Sequence, residues 1–165
     1  MSTPNLVMRP SAAGDLPRLQ ALRQAAFAPV FASFRSLLGE ELYSLVQARE
    51  DEEQADMLMS IAAPGSGWKV HVAELAGAVV GFVAVRADVD TQVGEIGLNA
   101  VSPEHAGRGV GTAMYEFALG QLRAAGMRAA TVATGGDASH APARRAYEKA
   151  GFSVAIPSVW MCRLL

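Results

Sequence analysis

Leu6, Val7 and Met8 form a short apolar run ahead of Pro10, and residues 5–9 read as a first strand. From Ser11 the spacing changes. Leu16, Leu19 and Leu22 recur at the period of one helix face, so SAAGDLPRLQALRQAAF is predicted helical, with Pro29 expected to interrupt it. FASFRSLLGEELYSLVQAR and EDEEQADMLMSIAA then read as one or two further helices, the acidic Asp51–Glu53 run marking a solvated helix start. APGSGW is a loop, and KVHVAEL and AVVGFVAVRA are strands joined as a hairpin through Ala-Gly. DVDTQ makes a turn into VGEIGLNAV, a fourth strand. A helix is predicted over Thr112–Ala125, with Met114, Phe117, Ala118 and Leu122 on one face and Gly126 at its C-cap. RAATVAT reads as a fifth strand and HAPARRAYEKA as a short helix stopped by Gly151. FSVAI and SVWMCRLL close the chain as two strands expected to pair.

The order of elements is thus β-α-α-β-β-β-α-β-α-β-β, a mixed α/β layer rather than a run of β-α repeats. The 165 residues suffice for one domain with a sizeable core, and residues 1–165 are expected to form it. The 51% hydrophobic content argues against disorder. A net charge of −2 offers no overall basic face for nucleic acid. AGAVVGFVAV is too short and glycine-broken to span a bilayer, and MSTPNLVMRP shows no basic stretch leading into an apolar one, so neither a membrane anchor nor a secretory signal is expected. The single Cys162 fits a reducing, cytoplasmic setting and is expected to be a buried thiol.

One stretch does not fit simple packing. In EHAGRGVGTAMYEFALGQL, Gly107, Gly109 and Gly111 sit at alternate positions directly ahead of a helical pattern. A helix start offers N–H groups without intrahelical partners and partial positive charge. Glycines ahead of it let an anion approach the backbone, and Arg108 adds a cation. A P-loop is excluded, because Thr112 follows Gly111 with no lysine between them. A dinucleotide fingerprint is poorly met, since the third glycine comes one residue early and SPEH separates the loop from its strand.

The order of elements and three segments resemble the GNAT superfamily of acyl-CoA-dependent N-acyltransferases, over nearly the whole chain. LVMRPSAAGDLPRLQAL is similar to its first strand and helix. VSPEHAGRGVGTAMYEFAL resembles its pyrophosphate motif, Gln/Arg-x-x-Gly-x-Gly/Ala, and HAPARRAYEKAGF its later Asn-x-x-Ala-x-x-Leu-Tyr-x-x-x-Gly-Phe segment. Two positions depart from the pattern: Ala106 stands at the Gln/Arg position and His140 at the Asn position. The resemblance implies a mostly antiparallel twisted sheet of about seven strands flanked by helices and splayed between strands four and five. It implies that the arm of acetyl-CoA lies along the backbone of Asn99, Ala100 and Val101, as an added strand would. The pyrophosphate would meet the loop from Ala106 and Gly107 through Arg108, Gly109, Val110 and Gly111 to Thr112, with His140 on the cofactor arm.

The same resemblance implies roles for two side chains. Tyr147, at the family's tyrosine position, would protonate the departing thiolate, since a phenol stays protonated at neutral pH. Glu95, on the fourth strand, would deprotonate the amine, directly or through water. Strand alternation puts Glu95, Gly97, Asn99 and Val101 on one face. Phe27, Phe31, Phe34 and Arg35 fall where the acceptor wall lies, although plain core packing accounts for the aromatics as well. His71, His105 and His140 lack the close spacing of a metal pair, so no metal is expected. The acceptor is expected to be a small-molecule amine or a peptide N-terminus, with a homodimer as the oligomeric option. The alternative function is a non-catalytic acyl-CoA-binding or sensing module on the same fold.

Overall fold

The structure, a computed structural model, describes residues 5–165; residues 1–4, the start of MSTPNLVMRP, lie outside it. The chain runs through β1 (Leu6–Pro10), α1 (Leu16–Val46), α2 (Glu50–Ala62), β2 (Lys69–Leu75), β3 (Ala78–Asp88), β4 (Val93–Val101), α3 (Val110–Ala124), β5 (Ala129–Val132) and α4 (Ala141–Lys149). Short 3-10 turns at Ala13–Asp15, Pro103–His105 and Ala138–His140 lead into α1, the glycine loop and α4.

The first helix corrects the sequence expectation. It runs through Pro29 and breaks at Gly39, where φ is 75° and ψ 163°. Proline already has a helical φ and removes one hydrogen bond, a loss that packing offsets when Val30 beside it is buried. Glu40 and Glu41 follow Gly39, acidic residues suited to a fresh helix start. Arg23, almost wholly buried, fastens α1 to α2 by donating to Asp51 at 2.8 Å and to the Gln54 side-chain oxygen at 3.1 Å.

The strands lie in the order β1-β2-β3-β4-β5, antiparallel through β4, with β5 parallel to β4. The mixed sheet flanked by helices is the expected fold class, with five strands among the described residues instead of about seven. FSVAI and SVWMCRLL form no strand. Beyond Phe152 most of their apolar side chains lie in the open, Ile156 at 94% and Met161 at 85% exposure. Strand propensity reports fit to a half-buried pleated surface, and here no neighbouring strand supplies one. Cys162 is half-buried, not the core thiol expected.

Two cores sandwich the sheet. On one face Val83, Val85 and Ile96 pack with Val110, Met114, Ala118 and Leu122 of α3 and Tyr147 of α4. On the other, Val72, Phe82, Ala84 and Ala100 meet Leu19 and Leu22 of α1 and Leu58 and Ile61 of α2. Each fully buried side chain of this size contributes roughly 1.5–3 kcal/mol.

Two irregularities distinguish the second half of β4. Its register against β3 shifts between the Val83–Asn99 and Val85–Ile96 pairs, so Gly97 and Leu98 together oppose Ala84, a β-bulge. Its pairing with β5 ends at Ile96–Val132. Beyond that point the two strands part, and among the described residues no strand covers the outer edge of residues 97–101.

Candidate functional site

The bulge decides which way the β4 side chains face. Gly94 faces α3, since a Cβ there would enter Leu122. Gly97 faces the other way, where a Cβ would enter the Trp68 ring. After the bulge Asn99 reaches the α3 side, while Ala100 joins the opposite core. Simple alternation therefore fails. Glu95 shares the face of Gly97 and Trp68, and Asn99 and Val101 share the opposite one. One extra residue in a strand turns everything beyond it over.

On the α3–α4 side, three side chains meet. Tyr115 of α3 donates its hydroxyl to Asn99 Oδ1 at 2.8 Å. Asn99 Nδ2 donates to the Gly97 carbonyl at 2.9 Å and to the Tyr147 hydroxyl oxygen at 3.0 Å. The two phenol rings lie 4.7 Å apart, and both residues are buried. Burial, reinforced by the charge and hydrogen bonding of Tyr147 beside it, holds the Tyr115 pKa far above the ordinary phenol value. Sequence reasoning misses Tyr115; the available signal is a phenol beside Met114 on the buried stripe of α3, which must find a polar partner.

The end of α4 explains why Tyr147 is held so firmly. Gly151, at φ 98°, closes the helix: its N–H bonds the Glu148 carbonyl at 3.0 Å, and the Phe152 N–H bonds the Tyr147 carbonyl at 3.1 Å. This paired closure brings the residue after the glycine back over the last turn. The Phe152 ring accordingly meets Tyr147 edge-on at 6.0 Å. The spacing Tyr-x-x-x-Gly-Phe is the sequence form of this cap.

The glycine loop leads from β4 into α3. Gly107 and Gly109 have φ of 73° and 85°, left-handed conformations that side chains disfavour. Gly111 does not share this geometry; it lies inside α3, and a Cβ there would make ordinary contacts with Val101 and Tyr115. The helix begins at Val110, two residues earlier than Thr112. Its first bond to the loop runs from the Ala113 N–H to the Gly109 carbonyl at 3.0 Å. The N–H groups of Val110, Gly111 and Thr112 precede that bond and have no intrahelical acceptor. Ala106 contributes no polar side chain. Loop and uncovered β4 edge together fit an extended, phosphate-bearing ligand: backbone donors at one end and an open strand edge along its arm.

His140 caps α4, with Nδ1 2.5 Å from Asp137 Oδ1, and Ser139 Oγ donates to the other oxygen of the same carboxylate. Arg144 braces the turn by donating to the Gly135 and Asp137 carbonyls at 2.6 and 2.7 Å. Phe34 lies 6.0 Å from the His140 ring, bringing one residue of the expected acceptor wall to the cofactor side. Phe31 packs on Phe27 at 6.3 Å, and Arg35 is engaged by Glu40 at 3.0 Å and by the Tyr43 ring. Glu50 at the start of α2 also joins this region. Burial, then Glu53, raise its pKa; His140 opposes them. One of its carboxyl oxygens is buried without a hydrogen bond.

Glu95 stands across the sheet from Tyr147. Its carboxylate accepts from Arg86 at 2.6 Å, and the Arg86 guanidinium lies over Trp68 at 4.7 Å. No cluster of three or more His, Cys, Asp or Glu able to hold a metal occurs among the described residues. No described helix is long and apolar enough to cross a membrane.

Comparison with known proteins bears on this geometry. The model of the acetyltransferase (GNAT) family matches residues 31–152. No curated protein sequence matches the chain. Among solved structures, the ribosomal-protein-S18-alanine N-acetyltransferase from Escherichia coli superposes with a TM-score of 0.66 at 18% identity, covering 92% of this chain and 79% of that one. A GNAT family acetyltransferase from Brucella melitensis in complex with acetyl-CoA gives 0.60 at 23% identity, over 90% and 83%. A GNAT-family protein from Desulfovibrio desulfuricans gives 0.70 at 19% identity, over 92% and 87%. At these identities the likeness establishes the fold.

Proposed function

Because the chain belongs to the GNAT family of acetyltransferases, we propose that it transfers the acetyl group of acetyl-CoA to a primary amine by direct attack, with Tyr147 as general acid and Glu95 as general base. The observation that carries the reading is the Tyr147 hydroxyl, bonded to Asn99 beside the uncovered end of β4. A thioester lying along that edge would have a phenol on its α3–α4 side, with Glu95 on the opposite face just before the edge opens. As the amine nitrogen bonds the acyl carbon, Glu95 takes the amine proton, directly or through one water. The carbon–sulfur bond breaks, and Tyr147 gives its proton to the sulfur, to be reprotonated from solvent. Acetyl-CoA is held by the backbone of Asn99, Ala100 and Val101 and by the loop from Ala106 to Thr112, with His140 on its arm. Phe27, Phe31, Phe34 and Arg35 form the acceptor wall, for a small-molecule amine or a peptide N-terminus. The reading extends to one domain over residues 1–165 acting in the cytoplasm, without metal, as a homodimer.

A second reading, an acyl-CoA-binding module without turnover, draws on Ala106, which has no polar side chain, and on His140, whose Nδ1 is engaged by Asp137. One experiment separates the two. Acetyl-CoA is offered with a panel of amines and peptides, thiol release and product mass are recorded, and binding is measured beside them. Acetylated product that disappears in Tyr147→Phe supports the enzyme; tight binding with no product across the panel supports the module.

A further inference from the structure

We infer that Asn99 and Tyr115 form a polar relay that fixes the Tyr147 hydroxyl oxygen as an acceptor from Asn99, leaving its own proton uncommitted to Asn99 and available for transfer. The inference rests on the proposed acid role of Tyr147 and deepens it. It follows from donors and acceptors alone. The Gly97 carbonyl can only accept, so the Asn99 atom 2.9 Å from it must be the amide nitrogen. That settles the orientation of the amide. The opposite atom is then Oδ1, which can only accept, so Tyr115 must donate to it. The second Nδ2 proton is aimed at the Tyr147 oxygen 3.0 Å away, which must accept. The Tyr147 proton takes no part in these bonds.

Each member of the chain is held in its role. The bulge at Gly97 and Leu98 turns Asn99 toward α3. Burial and the neighbouring phenol keep Tyr115 protonated, so it remains a donor across the working pH range. The cap at Gly151 holds the Tyr147 backbone and packs Phe152 on its ring. Asn99 is thus a positioning residue: it also stabilises the oxygen when the proton leaves, since donation to a developing phenolate favours it.

The test combines a ligand-free readout with kinetics. In the labelled protein without ligand, the two side-chain amide protons of Asn99 are followed by NMR. Tyr147→Phe is expected to move one of them and leave the proton bonded to Gly97 in place; no response in either overturns the relay, whatever the chemistry. Single-turnover acetyl transfer is then measured for Asn99→Asp, Tyr147→Phe and the double variant, with melting curves confirming the fold. An aspartate oxygen accepts where Nδ2 donated, so it draws the Tyr147 proton inward. Asn99→Asp should slow transfer about 10- to 100-fold with the acceptor KM unchanged. In the Tyr147→Phe background the same change should add little. Independent, multiplying losses overturn the relay while leaving the acid role standing. A full rate in Tyr147→Phe alone overturns the acid role instead. Should Asn99→Asp not fold, Tyr115→Phe gives the same cycle, and additivity there counts equally against the relay.

Discussion

At the scale of single residues, Glu95 is where the proposed chemistry is most exposed to test. It is 40% accessible at the side chain and already paired with Arg86. Glu95→Gln keeps the shape and a hydrogen bond but cannot take a proton. The single-turnover rate should fall roughly 10²–10⁴-fold, with acetyl-CoA affinity nearly unchanged. An Arg86→Ala variant that loses as much as Glu95→Gln would assign the pair to packing against Trp68 instead. The placement of Tyr147 is legible in the sequence because it is tied to a local cap, Gly151 with Phe152, that leaves a fixed spacing. The direction of Asn99 is not. Alternation puts it beside Glu95, and one bulge residue, signalled in the sequence only by Gly97 inside the strand, places it on the opposite face.

At the scale of elements, the glycine loop and β2 each give a prediction. Gly109 and Gly111 look alike in sequence, but only Gly109 is left-handed. Gly109→Val should abolish the rise in melting temperature that acetyl-CoA produces, because backbone strain there displaces the first-turn donors. Gly111→Ala should raise the stability of the free protein by about 0.5–1 kcal/mol, as alanine for glycine does within a helix, and leave acetyl-CoA binding in place, since its methyl group meets Val101 and Tyr115. Equal acetyl-CoA binding by Gly109→Val and the parent would remove the loop from the cofactor site. In β2, His71 is buried edge-on to Phe117 at 5.0 Å, with Nδ1 lacking a hydrogen bond. Burial, then the charge of Lys69, hold its pKa below the ordinary value of 6.5. The unfolded chain therefore takes up this proton first as the pH falls. Stability is unaffected above about pH 6.5 and declines below it, until the folded-state pKa is passed. Urea unfolding at about pH 7.5 and about pH 5.5 should show a smaller decline in His71→Phe than in the parent. Identical declines would mean that His71 titrates alike in both states.

At the scale of the whole molecule, the unplaced part is the last run of chain. Helix and hairpin periods can be read directly because each element buries its own apolar face against the sheet. The same grounds predict two closing strands, yet Val154, Ile156, Val159 and Met161 stand exposed, with Trp160 at 62%. A strand needs an edge to pair with, and that information is not in the segment's own pattern. The fold does present an edge. Beyond β5, among the described residues, no further strand pairs, and residues 97–101 of β4 are uncovered on the same side. A run of exposed apolar side chains of this kind is a candidate contact surface. The proposed homodimer gives it a partner: the run from Ser153 to Leu165 of one copy packing on its counterpart. Sedimentation of the parent should then show a dimer, and a chain ending after Ser153, which retains the Phe152 contact with Tyr147, should sediment as a monomer with its α4 cap intact. Trp160 fluorescence should shift to the blue as concentration rises, since the ring leaves water on association, and should not shift when Trp160 is replaced by Phe with Trp68 kept. A parent that sediments as a monomer at every concentration, with unchanged Trp160 emission, would rule out this interface.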